Sequence, residues 1–136
     1  MSFTNFLEHA VLDYVFGLTS YVPSGTLYVG LSTTTPTEAG TNFTEPASGY
    51  ARVAVTNNKT NWSTATQNGT SGEIHNRTTI TFPTSSGNWG TITHAGLFDR
   101  SGAGNLLTQT PLTNQQTVNI NNTLAYASGA MIFRMD

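Results

Sequence analysis

Catalysis needs side chains that exchange protons, hold a metal or attack a substrate, and this sequence supplies few of them. His9, His75 and His94 are far apart, falling on a helix-like segment, in a polar loop and in a core-like strand. One hydrolytic trio is conceivable, His94 with Asp99 and Ser101. His94 and Asp99 are five residues apart on one strand pattern, so their side chains face opposite sides. No Gly-x-Ser-x-Gly elbow accompanies them. The expectation is a hydrogen-bonded histidine beside the core and a turn-forming Asp99. A glycosidase pair would need two of the seven acids to converge in a cleft, yet Glu8 and Asp13 fall on the helix-like segment and Asp136 is terminal.

Metal chemistry has as little to work with. The sequence contains no cysteine, no His-x-His pair, no His-Glu-x-x-His run and no acidic loop of the EF-hand kind. Glu38, Glu45 and Asp99 could share a calcium ion only if folding brought them together. The expected complement is therefore no metal and no cofactor. Gly102-Ala-Gly104 lacks the lysine and following helix of a phosphate loop, and reads as a hairpin turn.

Binding chemistry is more open. Trp62, in a polar stretch, and Trp89, in the turn Ser86-Gly-Asn-Trp-Gly, could offer stacking platforms for a host-surface glycan or anchors for a protein partner. Alternatively, each ring closes one end of the hydrophobic core. Six Asn-x-Ser/Thr sequons are what chance produces in a chain with 25 threonines, 13 asparagines and 11 serines. Only 9% of residues are charged and the net charge is −2. The basic residues Arg52, Lys59, Arg77, Arg100 and Arg134 are scattered, which argues against nucleic acid. No apolar run approaches the ~18 residues of a membrane span. Glu8, Asp13 and the lack of a basic leader read against a secretory signal.

The elements that must position these side chains are mostly strands. A chain of 136 residues fits one domain and can bury a core without metal or disulfide. Phe6, Leu7, Ala10, Val11, Tyr14 and Val15 repeat at helical spacing within Thr4 to Phe16. Ser2, Thr4 or Asn5 could cap that helix, Glu8 suits its first turn, and Gly17 ends it. Such a helix must pack on the domain or on a neighbour. Strand patterns follow at Thr26–Leu31, Tyr50–Thr56, Arg77–Phe82, Thr91–Asp99, Asn105–Thr110, Thr117–Ile120, Thr123–Tyr126 and Ala130–Met135. The fold expected is mainly β: a single β-sandwich or jelly-roll-like domain over 18–136, preceded by one N-terminal α-helix within 1–17.

The segment 32–49, STTTPTEAGTNFTEPASG, has no hydrophobic period. It is longer than ordinary connections. Extended at ~3.3–3.6 Å per residue it would reach on the order of 60 Å, enough to embrace a neighbouring subunit. The alternative is a mobile surface loop. The surfaces expected to meet partners are the helix, through Phe6, Val11 and Tyr14, and this loop, through Glu38, Phe43 and Glu45, with Trp62 and Trp89 as further candidates.

An ordered series of motifs carries a resemblance. LYVGLS at 27–32, TPTEAG at 35–40 and GYAR at 49–52 come first. ITFP at 80–83, WGTITHAGLFD at 89–99, GNLL at 104–107, PLT at 111–113, TVN at 117–119 and the closing strand follow. Together they resemble short virion proteins of tailed phages, commonly labelled tail-fibre or minor tail proteins. The polar stretch Asn57 to Glu73 departs from that pattern and is a candidate for partner-specific contacts. The resemblance implies a non-enzymatic particle component, assembled in the bacterial cytoplasm and mounted on the tail or decorating the head. Edge strands, the apolar helix face and the long loop would each bury surface against neighbours, so homo-oligomers and contacts with major capsid or tail proteins are expected. A receptor- or glycan-binding role on the same particle is the second reading.

Overall fold

A computed structural model describes residues 3–135. Ser2, one of the possible helix caps, and Asp136 lie outside them. The helical repeat forms α1 (Asn5–Val15), and the alternating segments form β1 (Thr26–Ser32), β2 (Val53–Thr56), β3 (Thr66–Asn68), β4 (Ser71–His75), β5 (Ile80–Thr81), β6 (Gly90–Phe98), β7 (Leu106–Val118), β8 (Ala125–Tyr126) and β9 (Ile132–Met135). All pairings are antiparallel and give three sheets, in the orders β2-β1-β6-β7, β3-β4-β9 and β5-β8. The mainly β class with one N-terminal helix is as the sequence predicts.

The core lies between two layers. Val29, Leu31, Val55, Ile92, Ala95, Leu97 and Val118 come from the four-stranded sheet. Trp62, Ile80, Phe82, Trp89, Met131 and Phe133 come from the smaller sheets and their connections. Asn76, fully buried, staples this second layer. Its Nδ2 donates to the carbonyls of Thr78 and Ala127, both at 2.9 Å, and its Oδ1 accepts from the Met131 N–H at 2.9 Å.

Several boundaries differ from the sequence reading. His75 ends strand β4 rather than lying in a polar loop, and the polar stretch 57–73 contains the β3–β4 hairpin. Hydrogen-bonded pairing with β9 supplies what apolar alternation does not. The two strands expected around Pro111 are one, β7, with an irregularity: Ile92 faces Gln116 while His94 faces Pro111. The strand expected from Arg77 shrinks to Ile80–Thr81, because the Arg77 N–H is turned to the Asn61 carbonyl at 2.7 Å. Tyr50 and Arg52 lie outside β2 because their side chains serve other partners.

The loop 32–49 neither projects nor floats. It folds back over the outer face of the four-stranded sheet. Gly30 and Gly96 sit opposite each other there and leave a flat floor. A methyl at Gly96 would stand 2.6 Å from Phe43 Cε2, and one at Gly30 would stand 2.9 Å from Phe98 Cε2. The loop is laced internally. Thr33 N–H donates to the Thr44 carbonyl at 3.0 Å, Thr34 Oγ1 to the Asn42 carbonyl at 2.6 Å, and Asn42 Nδ2 to the Thr35 carbonyl at 2.7 Å. Neutral hydroxyls and amides thus replace a strand ladder. Protease access follows local opening, so limited chymotrypsin digestion should cut first at Tyr14, Phe16 or Leu18 and spare Phe43. Early cleavage after Phe43, read by mass spectrometry, would contradict this packing.

Candidate functional site

The residues picked out by sequence separate into two places. Around the loop, Glu45 takes a two-point ion pair from Arg52, with Nε to Oε1 at 2.7 Å and Nη2 to Oε2 at 2.9 Å. The Arg52 guanidinium lies 3.4 Å from the Phe98 ring centroid, and its Nη1 donates to the Arg100 and Ala103 carbonyls at 2.9 and 2.8 Å. Tyr50 donates its hydroxyl to Glu45 Oε1 at 2.8 Å and accepts the Leu31 N–H at 2.9 Å, where β2 no longer covers β1. Burial, with the Glu45 charge beside it, pushes the Tyr50 phenol well above its ordinary value. Phe43 meets Phe98 edge to face at 5.0 Å. This is a clamp joining the loop, β1 and the β6–β7 turn. The side chains of Phe43 and Glu45 are committed to it. Glu38 is exposed, and its backbone carbonyl accepts the Asn5 N–H at 2.9 Å.

The aromatic candidates Trp62 and Trp89 are 3% and 5% exposed and sit in the core, with Trp89 Nε1 donating to the Ser48 carbonyl at 3.1 Å. Of the two readings, the rings follow the one in which they close the core. The hydrolytic trio is not assembled. His94 Nδ1 contacts Thr93 Oγ1 at 2.9 Å, and burial lowers its pKa. Both Asp99 oxygens accept from Asn105 at 2.8 Å, which closes the β6–β7 turn. Among the described residues no three His, Asp or Glu side chains converge on a metal position.

The second place is the N-terminal arm, residues 3–24. Its root is bonded to the domain. Phe3 bridges to Thr108, Thr4 N–H donates to the Leu107 carbonyl at 2.9 Å, and the Thr4 hydroxyl bonds the Leu106 and Leu107 carbonyls instead of capping α1. Leu7 is the helix's buried residue. Beyond it, Phe6 and Tyr14 stand 43% and 61% exposed, and Val11 is half-buried. Leu12, Val15, Phe16, Leu18 and Val22 are 54–82% exposed. Sequence reasoning counted Val15 in a helical stripe and missed the other four. The available signal was that Leu12 and Phe16 lie off the stripe, so the helix is apolar on more than one side.

A cleft of about 330 Å³ opens between β7, β8 and β9, lined by Pro111, Leu112, Leu124, Tyr126, Met131 and Arg134 among others. Burial pushes the Tyr126 phenol up to about 12. This hydroxyl has no hydrogen-bond partner.

The comparisons agree with the motif series. The family described as podophage GP4 fiber I protein gp80 matches residues 2–134. No curated protein matches the chain. With nearly every residue inside that match, the chain belongs to the podophage GP4 fiber I protein gp80 family and is a phage fibre structural protein.

Proposed function

We propose that this protein is a non-enzymatic fibre subunit mounted on the tail of a podophage virion, working through contacts with other virion proteins. The observation that supports it is the division of labour between a clamped body and an exposed apolar arm. Seven of the nine large hydrophobic side chains that stand exposed among the described residues lie between Phe6 and Val22. Surface of this kind is what burial against another protein stabilises. In the body, Glu45, Tyr50, Arg52 and Asp99 are tied into structural bonds, which favours contact over turnover as its chemistry.

Cryo-EM of the intact particle tests the placement. Density for this β-rich domain at the tail, its arm against a neighbouring chain, is the expected result. Density on the head lattice would replace fibre mounting with capsid decoration, and absence from purified virions would overturn both.

A further inference from the structure

We infer that the partner of the arm is the arm of a second copy of this chain. The inference rests on the subunit reading above and names the contact through which subunits would join. The turn that ends α1 satisfies its own backbone: Phe16 N–H donates to the Leu12 carbonyl at 2.9 Å, and Leu18 N–H to the Asp13 carbonyl at 2.9 Å. The arm's large outward side chains are apolar and call for an apolar partner. Outside the arm, the exposed large hydrophobics among the described residues are Ile120 and Met135. The arm is thus the extended apolar surface that one copy can offer another.

Charge and area agree. No charged residue lies between Asp13 and Glu38, so two tips can meet without like-charge repulsion. Asp13 itself lies beside Thr19, Ser20 and Tyr21 in the groove between α1 and the returning chain, turned towards its own arm. The tip side chains Tyr14, Val15, Phe16, Leu18 and Val22, at 61–82% exposure, present on the order of 700 Å² over more than one side, so two arms that wrap each other approach the ~800 Å² that each partner gives a standard-size interface. An anionic lipid surface suits the arm less well. Interfacial helices of that kind are rich in Lys and Arg, and the first basic residue here is Arg52, held in the clamp.

The absence of cysteine makes the test clean. Phe16→Cys and, as a control on an exposed body turn, Ser101→Cys are each introduced alone into the full chain and oxidised with copper–phenanthroline. Position 16 should form a disulfide-linked dimer at least about tenfold faster than position 101, since groups held in one assembly react at mM effective concentration. In sedimentation equilibrium, the wild-type chain should exceed the monomer mass. Phe16→Asp with Leu18→Asp should return it to monomer without altering its circular dichroism spectrum.

Equal crosslinking at both positions, or a monomeric wild type at tens of micromolar, overturns the inference. So does flotation of a monomeric chain with vesicles of phosphatidylcholine and phosphatidylglycerol. A monomer that is still found in purified virions defeats only the arm-to-arm contact, whereas an oligomer absent from virions defeats the fibre-subunit reading.

Discussion

Asn76→Asp should lower the melting temperature by roughly 15 °C at pH 7, and most of that loss should vanish near pH 4. The substitution keeps the shape of the side chain. It puts an oxygen where Nδ2 now donates to Thr78 and Ala127, in a position with no solvent exposure. A carboxylate held against carbonyl oxygens has its pKa raised above the ~3.9 of an unfolded aspartate. A rise of about three pKa units corresponds to about 4 kcal/mol. For a domain of this size that is on the order of 15 °C. The direction follows from linkage. A raised folded pKa gives stability that is fully present below the unfolded value and lost as pH rises through the folded value. Asn76→Ala removes the same bonds without adding a charge, so its loss of about 3 kcal/mol should not depend on pH. Thermal melts of the three proteins at pH 7 and pH 4 decide it. An Asn76→Asp curve parallel to that of Asn76→Ala at both pH values would refute the account.

Glu45→Ala should destabilise the protein by about 3 kcal/mol, and removing Arg52 as well should restore part of that loss. The Arg52 side chain is 6% exposed, against 28% for Glu45, so the cation is the deeper partner. Deleting the carboxylate strands that cation and removes the acceptor of the Tyr50 hydroxyl. Breaking a buried pair from one side costs about 3–5 kcal/mol, and the partial exposure of Glu45 places this case at the low end. Arg52→Met in the same chain removes the uncompensated charge while keeping contact with Phe98. Urea denaturation should therefore rank wild type above the double variant, and the double variant above Glu45→Ala. If Glu45→Ala is as stable as wild type, the clamp does not hold the loop.

What local pattern encodes was readable from the sequence. Strand β6 carries the buried residues Ile92, Ala95, Leu97 and Phe98, and its bounds fall within one residue of those expected. The helix behaves the same way, because 3.6-residue spacing is written in the side chains themselves. Elements formed by distant partners were not readable. All three β3 residues are exposed and that strand exists through pairing with β4, so no apolar period marks it. The loop 32–49 has no period either, since what fixes it is internal hydroxyl and amide bonding, one ion pair, one aromatic contact and a floor made by two glycines on neighbouring strands. Glu45 and Arg52 are only seven residues apart, yet nothing in that spacing announces a buried pair. The arm was found in outline, with its helix correct and its exposed side under-counted.

The pairing of late strands with early ones sets the order in which a nascent chain can fold. Half of the second layer is built by β8 on β5 and β9 on β4, so Ile80, Phe82 and Trp62 have no finished packing until residues 125–135 are in place. The root of the arm waits as well, because Thr4 and Phe3 are held by Leu106, Leu107 and Thr108 from more than a hundred residues later. Until residues 106–108 are in place, the root of the arm lacks its bonded partners. A chain that stops before Leu106 therefore lacks the bonded support that presents the arm.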